Sequence, residues 1–270
     1  MRRVQIFIFW LFKARNNVSF FELIKFCLKP TVVALAKRYI SNIEIEEPFY
    51  KVSFNPINKV LYWPKASPVD GIYQVTTETF DQTDWHYYQK EHTQIDSGER
   101  LLDVGAAEGL FALSVAQLCD KIILVEPNDY FAESLKKSFS QMADKTEIKN
   151  VAVGSVDGEI SFSNESLNGR IVSDSTAGKK RIARIDTLLP NEKVTYLKAD
   201  VEGFELEVLK GAENLIMRNK PKIAITTYHN ENNEQEIVSL VKQFVPEYQH
   251  YSKGIIHGSG KAVMIHFWIS

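Results

Sequence analysis

Two cysteines, Cys27 and Cys119, are all that 270 residues contain, and each lies inside an apolar run. That excludes a disulfide framework and any multi-cysteine zinc site, and it fits a reducing, cytoplasmic setting. Net charge is only −2, so the strongly basic footprint of non-specific nucleic-acid binding is missing and no nucleic-acid partner is expected. No apolar run approaches the length of a membrane span. The longest at the start, residues 4–12, holds nine apolar or amide residues, and no small-residue cleavage site follows it. Two readings of this run stay open. It packs on the core as a helix or strand, or, with Lys13 and Arg15 beside it, it is a shallow membrane-surface anchor, the most membrane contact the sequence allows. Internal repeats and low-complexity tracts are also lacking.

What is present is a soluble, globular composition, 44% hydrophobic and 24% charged, long enough for one sizeable core. Ser19-Phe20-Phe21-Glu22 has capping-box spacing and predicts a helix towards Ile40, interrupted at Pro30. Residues 41–75 carry four prolines and read as loops with short strands. Residues 76–94, rich in aromatics, are expected to form a short helix leading into the main domain. The predicted division is therefore an N-terminal helical or irregular extension, 1–75, serving as a cap or homo-oligomer contact, and a main domain, 76–270.

From about residue 98 strands and helices alternate. Strands are predicted at 100–104, 121–125, 148–153, 194–199 and 222–227, with helices at 110–118, from Pro127-Asn128, around Phe204 to Leu215, and from Asn233. Asp157-Gly158 predicts a polar hairpin turn. Residues 248–251 and 263–268 are expected to close the sheet as an antiparallel pair. Such alternation means an α/β, doubly wound, mostly parallel sheet.

Ligands in such sheets sit beyond the carboxyl ends of the strands, where strand order reverses. There the first strand runs into Asp103-Val104-Gly105-Ala106-Ala107-Glu108-Gly109. Gly105 suits a tight turn and Gly109 a close helix. Glu126 ends the second strand, placed to accept from both hydroxyls of a ribose. A dinucleotide turn aims N–H groups at a pyrophosphate, whereas Asp103 and Glu108 here favour a cation, and the third glycine of Gly-x-Gly-x-x-Gly is out of place. S-adenosyl-L-methionine, with its ammonium and sulfonium, fits better than a nicotinamide dinucleotide.

The segments Leu102-Asp103-Val104-Gly105-Ala106, Glu126-Pro127, Leu197-Lys198-Ala199-Asp200-Val201-Glu202-Gly203-Phe204-Glu205 and Val208-Leu209-Lys210-Gly211-Ala212 follow in order. With Val151-Ala152-Val153-Gly154, Gly158 and Ile185-Asp186-Thr187-Leu188, they make residues 99–230 resemble the FkbM methyltransferases. The resemblance implies a Rossmann-like class I methyltransferase fold and methyl transfer from S-adenosyl-L-methionine, commonly to a hydroxyl of a saccharide or secondary metabolite. Asp103, Gly105, Ala106, Ala107, Gly109, Glu126, Pro127 and Asp200 are the expected cofactor residues. Two positions depart from the family: Ala107 stands where Asn is usual, and the fifth strand ends Thr226-Thr227-Tyr228-His229-Asn230 rather than in Glu.

For the acceptor, Asp200 ends the fourth strand and Lys198 faces the same side two residues earlier, able to hold Asp200 ionised or to orient a substrate oxygen. His229 follows the fifth strand and suits a general base. Glu205 is expected to complement the next helix dipole. No metal is expected, since the oxygen ligands fix no geometry. The Gly254 to Gly260 loop, with His257, is read as a surface hairpin. Alternatives to O-methylation are N-methylation of an amino sugar or related amine, and a binding or scaffold module that keeps the fold without catalysis.

Overall fold

The computed structural model describes residues 2–90, 92–163, 170–171, 178–228 and 233–270. Three helices open the chain, α1 (Arg2–Phe12), α2 (Phe20–Leu28) and α3 (Val32–Ala36). Ser19 caps α2 through the reciprocal bonds of a capping box with Glu22, and the helix stops before Pro30, as the spacing predicts. A three-stranded antiparallel meander follows, β1 (Ile40–Glu46), β2 (Phe49–Phe54) and β3 (Val60–Pro64). Then comes α4 (Asp70–Phe80). The helix expected over 76–94 thus begins earlier and ends at Phe80. Beyond it, Asp81 and Asp84 fold their carboxylates back onto the N–H groups of Thr83 and His86, both at 2.9 Å, replacing helix by Asx turns.

The main domain runs β4 (Glu99–Val104), α5 (Leu110–Val115), β5 (Cys119–Val125), α6 (Asp129–Ser138), β6 (Thr146–Lys149), β7 (Ala152–Val153), β8 (Gly158–Ser163), β9 (Arg170–Ile171), β10 (Gly178–Ala183), α7 (Ile185–Leu188), β11 (Tyr196–Ala199), α8 (Glu205–Gly211), α9 (Glu213–Asn219), β12 (Lys222–Thr226), α10 (Asn233–Phe244), β13 (Gln249–Lys253) and β14 (Met264–Trp268). Seven strands form the central sheet in the order β13-β14-β12-β11-β4-β5-β6. Only β14 runs against the rest, antiparallel to both β12 and β13, so the expected antiparallel closing pair is present. Alternate residues of each strand face opposite layers. Leu101, Ile122 and Leu124 join one core cluster with α5, α6 and the N-terminal helices. Leu102, Ile123 and Val125 join the other with α8, α9 and α10. The α/β doubly wound arrangement follows, with strand order reversing between β4 and β11.

Two sequence expectations are corrected here. The run 148–153 is not one strand: β6 belongs to the central sheet, while β7 leaves it to pair with β10. Nor do the strands around Asp157-Gly158 form a hairpin, because β10 lies between β7 and β8. Asp157 instead accepts from the Arg184 N–H (3.0 Å) and the Thr187 hydroxyl (2.8 Å), which fastens this turn to the start of α7.

Candidate active site

The glycine turn leaves β4 at the reversal point. Its N–H groups at Gly105 and Ala106 donate to the Val125 carbonyl, and the Asp200 N–H donates to Val104, so the carboxyl ends of three strands are stitched together. Gly105 has φ +70°, and a Cβ there would sit 1.9 Å from the Asp200 carbonyl oxygen; no other residue fits. Gly109, at φ +83°, lets α5 lie against Leu135 and Phe139 of the α6 region. Ala107 holds φ +46°, a left-handed conformation that Asn tolerates better.

Glu126 is buried, and it accepts from the N–H of Ala107 (2.9 Å) and of Asn128 (2.8 Å). Burial pushes its carboxyl up to about 7, and burial does the same to Glu108 within the turn. Pro127 follows, half-buried, and Asn128 caps α6. Asp103 and Lys198 face each other in register on β4 and β11. Lys198 Nζ lies 2.9 Å from Asp103 Oδ1 and donates to the Gly105 carbonyl at 2.6 Å. Burial raises the Asp103 carboxyl despite the ammonium. Burial opposes the charge of Lys198, yet Asp103 and Asp200 outweigh it and raise its pKa. Lys198 thus bonds Asp103 and the glycine turn directly, and it acts on Asp200 through its charge.

Asp200 sits beside that turn, its side chain 18% exposed. Its Oδ2 accepts from the Tyr88 hydroxyl at 2.8 Å and lies 3.5 Å from His86 Nε2, while Oδ1 is 3.2 Å from the Thr226 hydroxyl. Thr226 also reaches the fully buried Glu205, at 3.1 Å. Its single proton serves one carboxylate at a time. On the other side of His86, Nδ1 is 3.5 Å from Glu78 Oε2, and Tyr228 Oη is 3.3 Å from Nε2. Burial and the Asp200 charge hold the Tyr88 hydroxyl well above the ordinary phenol range, and burial raises Tyr228 too, so both hydroxyls stay protonated. Burial raises the Glu78 carboxyl as well, against the pull of His86.

Sequence reading missed Glu78, His86 and Tyr88. They arrive from α4 and the loop after it, held by the Tyr196 hydroxyl on the Tyr88 carbonyl (2.6 Å) and by Trp85 stacked on Phe26 of α2 (4.2 Å). The local signal was the cluster of aromatics in 76–94, which announced burial but not what it surrounds. His229 and Asn230 lie outside the described residues. The Gly254 to Gly260 loop packs on the N-terminal segment, with Asn16 donating to the carbonyls of Gly254 and Gly260.

The donors fit S-adenosyl-L-methionine. Asp103, Glu108 and Glu126 gather at the turn, with Lys198 the ammonium in contact with them among the described residues, an acidic set that suits a cationic ligand better than a pyrophosphate. Both carboxylate oxygens of Asp103 are buried without a well-directed hydrogen bond among the described residues. Glu126, at the end of β5, would hold the ribose. A cleft of about 420 Å³ lies at the opposite, amino ends of β4, β11 and β12, away from this chemistry.

Comparison with known proteins bears on the family and the fold. The methyltransferase FkbM domain matches residues 103–252, more than half of the chain. Among solved structures, methyltransferase FkbM from Methylobacillus flagellatus KT superimposes with a TM-score of 0.53 at 18% identity, over 76% of this chain and 56% of that one. This chain thus spans little more than half of that protein, and the likeness is one of fold. Trm5b from Pyrococcus abyssi gives a TM-score of 0.47 at 11% identity, over 85% and 62% of the two chains. Precorrin-6y C5,15-methyltransferase from Geobacter metallireducens GS-15 gives 0.42 at 10%, over 67% and 85%. No curated protein matches this chain. With its glycine turn, its Glu126 and its Asp200 segment inside the matched span, the chain belongs to the methyltransferase FkbM domain family.

Proposed function

We propose that the chain is an S-adenosyl-L-methionine-dependent O-methyltransferase acting on a hydroxyl of a saccharide or small hydroxylated metabolite. The observation that carries this reading is the Glu78-His86-Asp200 row beside the glycine turn. When bound, S-adenosyl-L-methionine supplies an electrophilic methyl group on a sulfonium leaving group. Lys198 and Asp103 fix the turn that shapes the cofactor side, and Glu126 would hold the ribose. On the acceptor side, the hydroxyl must be held in line and must lose its proton. Asp200 and His86 are the groups placed to take that proton. Glu78 faces the far nitrogen of His86 and stabilises the imidazolium that results. Tyr88 and Thr226 hold the Asp200 carboxylate in orientation.

The test is transfer of a labelled methyl group to a defined panel of saccharides, hydroxylated metabolites and amines. The expected result is a methyl ether on at least one hydroxyl acceptor. Asp200→Asn should lower turnover by about 10²-fold or more while cofactor affinity stays unchanged. Methylation of amines alone would replace the hydroxyl reading, and no transfer to any acceptor would overturn it.

A further inference from the structure

Helices α1 and α2 carry an apolar surface that no other described residue covers. α1 and α2 run antiparallel, as the Arg3 guanidinium at the start of α1 donating to the carbonyls of Cys27 and Lys29 at the end of α2 requires. At their other ends Trp10 of α1 meets Phe20 of α2 at 5.9 Å. Each helix buries one face: Ile6 and Trp10 on α1, Leu23 on α2. The opposite face of each is also apolar. On α1, Val4, Ile8, Leu11 and Phe12 fall at i, i+4, i+7 and i+8 and stay exposed, Phe12 to 83%. On α2, Phe21 and Leu28 are 77% and 78% exposed, with Ile24 between them. Of the fifteen large apolar side chains exposed among the described residues, ten lie between Val4 and Val33. Scattered exposure is ordinary, but a contiguous apolar face on a soluble domain marks an interaction surface.

Charge says what the partner is. Residues 2–43 carry eight lysines and arginines against one acid, Glu22, while the whole chain is at −2. Glu22 is itself paired with Lys253 at 2.6 Å. Arg2, Lys13, Arg15 and Lys25 are exposed around the two helices. Aromatic and aliphatic side chains ringed by basic ones match a lipid surface with anionic headgroups: the chains enter the acyl boundary and the cations meet the headgroups. A second copy of the chain would set this basic surface against itself. No helix among the described residues is long and apolar enough to cross a membrane, so the contact is lateral.

We infer that the α1-α2 face is a peripheral membrane-docking surface for bilayers rich in anionic lipid. It lies one stacked ring from the acceptor cluster, since Phe26 of α2 stacks on Trp85, the residue before His86. Docking therefore brings the acceptor side of the candidate site close to the lipid surface. The inference does not depend on the reaction proposed above.

The experiment is sedimentation of the full chain with vesicles of phosphatidylcholine alone and of phosphatidylcholine with phosphatidylglycerol, with the oligomeric state measured in parallel without lipid. The expected result is a monomer that sediments with the anionic vesicles, at least tenfold less with neutral ones, and less as salt rises. Phe12→Ser with Phe21→Ser should reduce binding at least tenfold, and Lys25→Glu should weaken it on anionic vesicles. All three side chains are exposed, so the thermal transition should stay within a few degrees. Absence of wild-type binding to anionic vesicles would overturn the inference. So would a dimer that the double serine variant dissolves, because the face would then belong to a second copy.

Discussion

Lys198 and Asp103 form a buried ion pair across adjacent parallel strands, Nζ to Oδ1 2.9 Å, and the same ammonium holds the Gly105 carbonyl. The pair fixes the turn on which a cofactor would lie. Removing one partner strands the other charge in the core. Lys198→Met should therefore destabilise the fold by about 3–5 kcal/mol, and adding Asp103→Asn should recover part of that loss. Urea denaturation of the wild type and the two variants measures both quantities. A loss under 1 kcal/mol for the single variant would mean that Lys198 does not support the turn.

Glu108 and Glu126 give the chain an unusual pH profile. Burial lifts both carboxyls from 4.5 to about 7. Below pH 4.5 both states hold these protons and burial costs nothing. Between 4.5 and 7 the unfolded chain has released them while the folded chain keeps them, so stability falls as pH rises, and it stays low above 7. The loss attributable to the two groups is on the order of 3 kcal/mol each. Denaturation between pH 5 and pH 8 should show this decline, and Glu126→Gln should flatten it. A stability that rises over that range in both proteins would contradict the assignment.

Ala107 carries a left-handed backbone at φ +46° with a side chain that gains nothing from it. Glycine accepts that conformation without the Cβ clash. Ala107→Gly should stabilise by about 1 kcal/mol, raising Tm by about 2–4 °C. Differential scanning calorimetry reads the shift directly, and a lowered Tm would show that the turn is not strained there.

His86 lies between Asp200 and Glu78, 3.5 Å from each. Its replacement in His86→Gln keeps a polar group beside Asp200 but cannot carry a proton between Asp200 and Glu78. Turnover should fall by about 10²-fold with little change in cofactor Kd. Full activity would transfer the base role to Asp200 alone.

Much of this site was legible because strand ends and turns have local signatures. Asp103, Gly105 and Glu126 could be placed from the strand pattern alone, and the parallel sheet with its reversed closing strand followed from the alternation. Tertiary partners were not legible. Lys198 and Asp200 share one side of a strand by periodicity, but the contact of the ammonium with Asp103, across from β11 to β4, could not be read from that spacing. Glu78, His86 and Tyr88 come together only because α4 and its Asx turns fold over the sheet end, a placement no spacing encodes. The apparent strand 148–153 divides after Lys149, because Ala152 and Val153 pair with β10, a partner some thirty residues distant.

The central claim is that the turn from Asp103 to Gly109, with Glu126, binds S-adenosyl-L-methionine. Isothermal titration calorimetry of the chain with this cofactor tests it most directly. The account predicts saturable one-to-one binding that Glu126→Ala weakens at least tenfold while Asp200→Asn leaves it intact. No measurable binding at millimolar cofactor, or equal affinity in the Glu126→Ala variant, would contradict it.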